Sequence, residues 1–237
     1  MSRKSLVLAL GIGGVIVGGT AGVLAGMIFH EPEFYRRAEV PPGAQRRQWS
    51  NEFHEEVNNL LNGMINYKAW GARFTEQQIN SYFAEEFLRQ SAADKSFFPE
   101  GISDPRVAID ANRIRLAFRY GKKSWSTILS LDLRVWLASG QPNVVAMEVE
   151  GMRAGSLPIS LQSILERFSE AARRQDVEMS WYRHNGKPVA LLRFAPGQRE
   201  PSVQLLQLKL HPGTMVVQGA DRSRSAGDKA AANTKAE

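Results

Sequence analysis

The chain reads as an α+β protein: an N-terminal transmembrane helix followed by a curved antiparallel sheet packed against two to three helices. Three observations predict this. Leu6 to Phe29 runs 24 residues without a charged side chain, directly after Arg3 and Lys4. Two stretches with apolar residues at three- and four-residue intervals come next, the spacing of one buried helix face. Period-two segments joined by short turns then fill most of the remainder, and short turns join antiparallel strands.

At ~1.5 Å per residue a helix over the opening run reaches ~36 Å, enough for a ~30 Å hydrocarbon core with some tilt. A cleaved secretory signal is the alternative, kept open by Ala21 and Ala25. The run is longer than the 7–15 apolar residues typical of such signals, and it ends in Met27-Ile28-Phe29, a poor cleavage context. Arg3 and Lys4 favour a cytoplasmic amino terminus and an extracytoplasmic main domain in a cell-membrane, single-pass arrangement. Arg36, Arg37, Arg46 and Arg47 on the far side weigh against that orientation. Gly14, Gly18, Gly22 and Gly26 recur every fourth residue and share a helix face, a spacing that lets two helix backbones approach closely in lipid. They are the candidates for helix association. With no Cys, disulfides are excluded, which fits a bacterial envelope protein but identifies no compartment.

The boundaries that follow are residues 1–30 for the start and anchor, 31–44 for a linker rich in Pro and charge, 45–219 for one domain, and 220–237 for a disordered tail. About 175 residues suffice for a substantial core. Its first helix carries Trp49, Phe53, Val57, Leu60, Leu61 and Met64 on one face, weakened at Asn62-Gly63. The second opens with Thr75 and Gln78 at capping-box spacing, with Phe74 and Ile79 placed for a hydrophobic staple. Strands are expected at Ile114–Tyr120, at Trp125–Leu137 and at Val144–Met152. The middle one would reach ~43 Å at ~3.3 Å per residue, so it should bend or coil. Pro158 suits the first turn of a third helix, with Leu157, Leu161, Ile164, Leu165 and Phe168 on one face and Arg173 and Arg174 favouring its carboxyl end. Asn185-Gly186 and Pro212-Gly213 mark two further hairpins.

The run Phe74-Thr75-Glu76-Gln77-Gln78-Ile79-Asn80-Ser81-Tyr82-Phe83 resembles an opening found in small membrane-anchored bacterial proteins, where a capped helix precedes a meander. Gly155-Ser156-Leu157-Pro158, with Leu161, Ile164 and Leu165, looks like the start of their following helix. Together these motifs resemble the YpmS-like membrane-anchored proteins of unknown function and the bacterial lipid-binding families with a tubular-lipid-binding-like fold. The resemblance spans about Phe74 to Phe168 and the amino-terminal run. It implies a curved antiparallel sheet around a helix and transfers no functional residue.

The chemistry-bearing residues point away from catalysis. The four His residues, His30, His54, His184 and His211, are scattered. His54-Glu55-Glu56-Val57-Asn58 starts like a zinc-protease helix but has Asn where the second His ligand is needed. No serine lies in a Gly-x-Ser-x-Gly elbow. No catalytic or metal-binding residue and no cofactor is therefore assigned, and the chain is read as not an enzyme. Charge is more informative. From Arg106 to Arg134 there are seven basic residues against Asp110 and Asp132, a balance of seven minus two, or +5. Arg113, Arg115, Arg119, Lys122, Lys123 and Arg134 are the candidates for an anionic surface such as lipid headgroups or cell-wall polymer. A solvated sheet face is the plainer account of the same residues. Nucleic acid is not expected, because no recognised binding motif accompanies the charge.

The functional expectation is a membrane-anchored, non-enzymatic envelope domain binding a lipid or another amphipathic component. The alternative is a scaffold of an envelope complex, with a protein partner or self-association through the amino-terminal helix.

Overall fold

A computed structural model describes residues 23–92, 101–122, 125–160, 178–194 and 202–222. Residues 23–29 are helical and are designated α1. Three further helices are α2 (Glu33–Arg37), α3 (Ala44–Asn66) and α4 (Glu76–Ala92). The strands are β1 (Ala69–Thr75), β2 (Ile102–Asp110), β3 (Arg113–Lys122), β4 (Trp125–Leu137), β5 (Val144–Ala154), β6 (Leu157–Pro158), β7 (Glu178–His184), β8 (Lys187–Arg193), β9 (Val203–His211) and β10 (Thr214–Asp221). They form two sheets. A seven-stranded sheet has the order β2-β3-β4-β5-β8-β7, with β6 paired to β5, and a three-stranded sheet has the order β1-β10-β9. Every pairing is antiparallel.

The antiparallel sheet holds; the transmembrane helix of the expected fold class is corrected. Among the described residues no helix is long and apolar enough to cross a membrane. The remainder of the apolar run, residues 1–22, lies outside the described residues, and so do Gly14, Gly18 and Gly22 of the helix-association face. Gly26 is exposed on α1 with nothing near its Cβ position. The third helix is corrected in part. Leu157–Pro158 pairs as β6 with Arg153–Ala154 instead of opening a helix, and residues 161–177 lie outside the described residues.

Periodicity explains the core. Along β4 the odd positions Leu129, Leu131, Leu133 and Val135 enter one cluster with Val145, Val149 and Met152 of β5. Phe53, Val57 and Leu60 of α3, Ile79 and Phe83 of α4, and Leu210 of β9 pack on the same cluster. Leu61, expected on the buried face of α3, is instead half-exposed, because the helix buries a narrower stripe. The capping box of α4 forms as expected: Gln78 N donates to Thr75 Oγ1 at 3.2 Å, and Thr75 N donates to Gln78 Oε1 at 2.9 Å.

Helix α4 also seals an edge. Strand β2 ends the large sheet, and an uncovered edge leaves backbone groups unpaired. Buried Asn80 answers this by accepting from Val107 N at 2.7 Å and donating to Val107 O at 2.8 Å. Glu76 Oε2 accepts from Ile109 N at 2.9 Å. The β9–β10 turn docks beside it, with Gly213 N donating to Ile109 O at 2.8 Å. The two carboxyl-terminal hairpins therefore separate: β7–β8 extends the large sheet beyond β5, whereas β9–β10 joins β1 in the small one.

Two irregularities shape the opposite face of the large sheet. The β2–β3 register shifts between Ser103 and Arg106, at Asp104-Pro105. The β4–β5 register shifts between Asp132 and Leu133, making Glu150 an extra residue in β5. Such bulges re-aim side chains.

Candidate functional site

The even positions of β4, with the odd positions of β3, form the outer face of the large sheet. Residues 31–39 cross this face. Although this stretch reads as a linker, Glu33–Arg37 is helical and Tyr35 is fully buried against Ala117 and Ile128. The bulge at Asp104-Pro105 presents Asp104 O, which accepts from the Tyr35 hydroxyl at 2.8 Å. Burial pushes the Tyr35 pKa up to about 12, since the phenolate would lose its hydration. Arg106 stacks over the Tyr35 ring at 4.2 Å and donates to Tyr35 O at 2.8 Å. Arg115 lies over the Phe34 ring at 4.8 Å.

At its amino-terminal end this strap is tied to the strand ends. Ser156 N donates to Met27 O at 2.8 Å and Thr127 Oγ1 to Ile28 O at 2.5 Å. Gly155, at φ +60°, permits the approach. A Cβ there would collide with the carbonyls of Met27 and Ile28, and the left-handed conformation itself favours glycine.

The structure places four of the anionic-surface candidates, Arg113, Arg115, Arg119 and Arg134, on this face and pairs them. Arg113 and Arg134 both reach Glu150, at 2.7 and 2.8 Å, because the bulge turns that carboxylate between them. Arg115 meets Asp110 at 2.6 Å. Arg119 meets Glu31 at 3.4 Å and Asp104 at 3.6 Å. The expected +5 surplus is therefore offset by acids contributed from neighbouring strands and from the strap. Pairs that keep at least one partner in contact with solvent, as these do, contribute little, ~0.2–1 kcal/mol where fully exposed. Lys122 stands apart, exposed at the β3–β4 hairpin, and Lys123 lies outside the described residues.

Two features remain. The first is a cleft of about 320 Å³ between the strap and the sheet, lined by His30, Glu33, Arg115, Ser130, Asp132 and Arg153, with Gly155 and Ser156 at one end. Its charged groups number two guanidiniums and two carboxylates. Arg153 Nη1 contacts Asp132 Oδ2 at 3.2 Å, while Glu33 makes a loose 3.7 Å contact with Arg37. The Arg115 Nε is buried without a hydrogen-bond partner. The second feature is an aromatic rim next to the cleft. Phe29 packs edge-on to Trp125 with ring centroids 5.2 Å apart, and Trp125 is 74% exposed. Tyr120 and, on α1, Val23 and Leu24 are exposed as well.

His54 packs edge-on against the Tyr82 ring at 5.0 Å, an ordinary helix-face contact. Among the described residues no three His, Asp or Glu side chains gather to hold a metal ion. Sequence reasoning missed Tyr35, Glu31 and Arg153 as parts of this face. One signal was available: the acids Glu31, Glu33 and Glu39 precede a sheet rich in arginine.

No protein-family model matches the chain, and no curated protein or solved structure matches it.

Proposed function

We propose that this chain is a membrane-surface domain of a cell envelope that binds lipid without catalysing a reaction. The observation that carries the reading is the Phe29–Trp125 pair, an aromatic contact left largely in solvent at the rim of the domain. Large exposed aromatics are costly in water, whereas Trp and Tyr are favoured at a membrane–water interface, where apolar rings and polar tips are both accommodated. Tyr120 and Lys122 lie at the same hairpin end, and a cationic side chain near an anionic bilayer contributes ~1 kcal/mol. The apolar sequence Leu6–Phe29 runs directly into this rim. In this reading the rim meets the lipid, while Arg106, Arg115 and Arg119 contact the strap and Arg113 and Arg134 pair with Glu150.

Quenching of tryptophan fluorescence by brominated lipids tests the proposal on the full chain. The chain contains Trp49, Trp70, Trp125, Trp136 and Trp181. Quenching is expected in vesicles, and most of it should vanish in Trp125→Leu. Equal quenching in the two proteins would place the bilayer elsewhere and overturn the reading.

A further inference from the structure

We infer that the cleft between strap and sheet is a binding site for a zwitterionic group carrying a phosphate ester and an ammonium, the chemistry of an ethanolamine phosphate. The inference deepens the membrane-surface reading and rests on it only for the source of the ligand.

The cleft's charge composition sets the ligand class. Arg115 and Arg153 supply guanidinium groups, whose planar donor forks suit phosphate oxygens. Asp132 and Glu33 supply carboxylates that match an ammonium. A simple anion would meet two carboxylates in the same space, and a simple cation would meet two guanidiniums. A ligand with both charges complements both pairs. Ser130, which pairs with Arg153 across β4–β5 and with Ala117 across β3–β4, also lines the cleft.

The cationic side is prepared for a ligand. The Arg115 guanidinium is positioned by Asp110 at 2.6 Å and by the Phe34 ring beneath it, and its side chain keeps some exposure. On the anionic side neither carboxylate is fully committed, because Glu33 and Arg37 are both largely in solvent and Arg153 is half-exposed where it meets Asp132. At about 320 Å³ the cleft sits at the small end of the ~300–1,000 Å³ range of ligand pockets, in keeping with a headgroup rather than an acyl chain.

Position links the cleft to the rim. His30 lines the cleft and directly follows Phe29, while Ser156 lines the cleft and holds the Met27 carbonyl. A headgroup in the cleft would therefore lie beside a bilayer touched by Trp125.

Calorimetric titration of the full chain with glycerophosphoethanolamine, glycerophosphate and ethanolamine tests the site independently of any membrane. Glycerophosphoethanolamine is expected to bind most tightly. Arg153→Gln should weaken it about tenfold or more, the effect of removing a charge-assisted bond. Asp132→Asn should remove the preference over glycerophosphate. Arg193→Gln, whose partner Glu178 lies on β7, serves as a folding control and should change nothing. Equal binding of glycerophosphate, or no binding of the zwitterion, would overturn the inference. Vesicle binding then separates the sources. A preference for ethanolamine over choline lipid that is lost in Arg153→Gln assigns the group to a lipid. Soluble binding without that preference keeps the site and assigns it a free ligand. Trp125 quenching without headgroup preference and without soluble binding overturns the site and leaves the membrane-surface reading standing.

Discussion

One strand, β4, builds both faces of the large sheet, and the two faces are held by different physics. Its odd positions, Leu129 to Val135, pack among aliphatic and aromatic side chains from both sheets and two helices. Its even positions include Ile128, Ser130, Asp132 and Arg134, and they face a short strap, two bulges and a set of ion pairs. Area burial is non-directional and scales with apolar surface, so the inner face tolerates little loss of volume. Apart from the buried contact of Tyr35 with Ala117 and Ile128, the outer face depends on directed contacts that are individually weak and partly hydrated. A protein built this way has a firm side and an adjustable side, and the cleft lies on the adjustable one.

Substitutions sharpen this contrast. Leu131→Ala removes a buried side chain from the middle of the inner face and should cost ~2–5 kcal/mol in chemical denaturation. A loss below 1 kcal/mol would mean that the inner face is less tightly packed than its burial implies. Tyr35→Phe deletes the hydroxyl that reaches Asp104 O and should cost ~0.5–1.5 kcal/mol near neutrality. Its pH dependence follows from the direction of the shift. The folded pKa lies near 12, above the ordinary value of 10.0, so the unfolded chain loses this proton first as pH rises. The stability linked to neutral Tyr35 is therefore complete below pH 10 and is lost between pH 10 and about 12. The advantage of the native protein over Tyr35→Phe should shrink across that window, and a constant difference would sever the link to this hydroxyl. Glu150→Gln, which weakens contacts to Arg113 and Arg134, should have the smallest effect, at most ~1 kcal/mol, and less in high salt. A larger loss would show that the outer face acts as a cooperative network.

Some of this architecture is legible in the residues themselves. The long alternation in β4, the hairpin at Asn185-Gly186 and the reciprocal cap at Thr75 and Gln78 are local patterns, and the structure contains each. Other elements are hidden for local reasons. Strand β2 carries Pro105 and a bulge, which break its period. Strand β1 is a short stretch before α4 whose Phe74 serves also as the staple residue. The arginines of β3 and β4 read as an available surface because their partners come from elsewhere in the chain. Arg119 and Glu31 are 88 positions apart, and Tyr35 lies 69 positions from Asp104.

By itself the sequence determined which residues alternate, where hairpins turn, how α4 begins and which face of β4 is apolar, because each depends on neighbours within a few positions. Only the tertiary structure decided that residues 31–39 lie across the outer face, that the bulge at Glu150 sets one carboxylate between two arginines, and that four opposite charges share a cleft beside an exposed tryptophan. Those outcomes depend on which distant segments meet. Charge and burial are properties of that meeting, and the order of residues along the chain does not contain it.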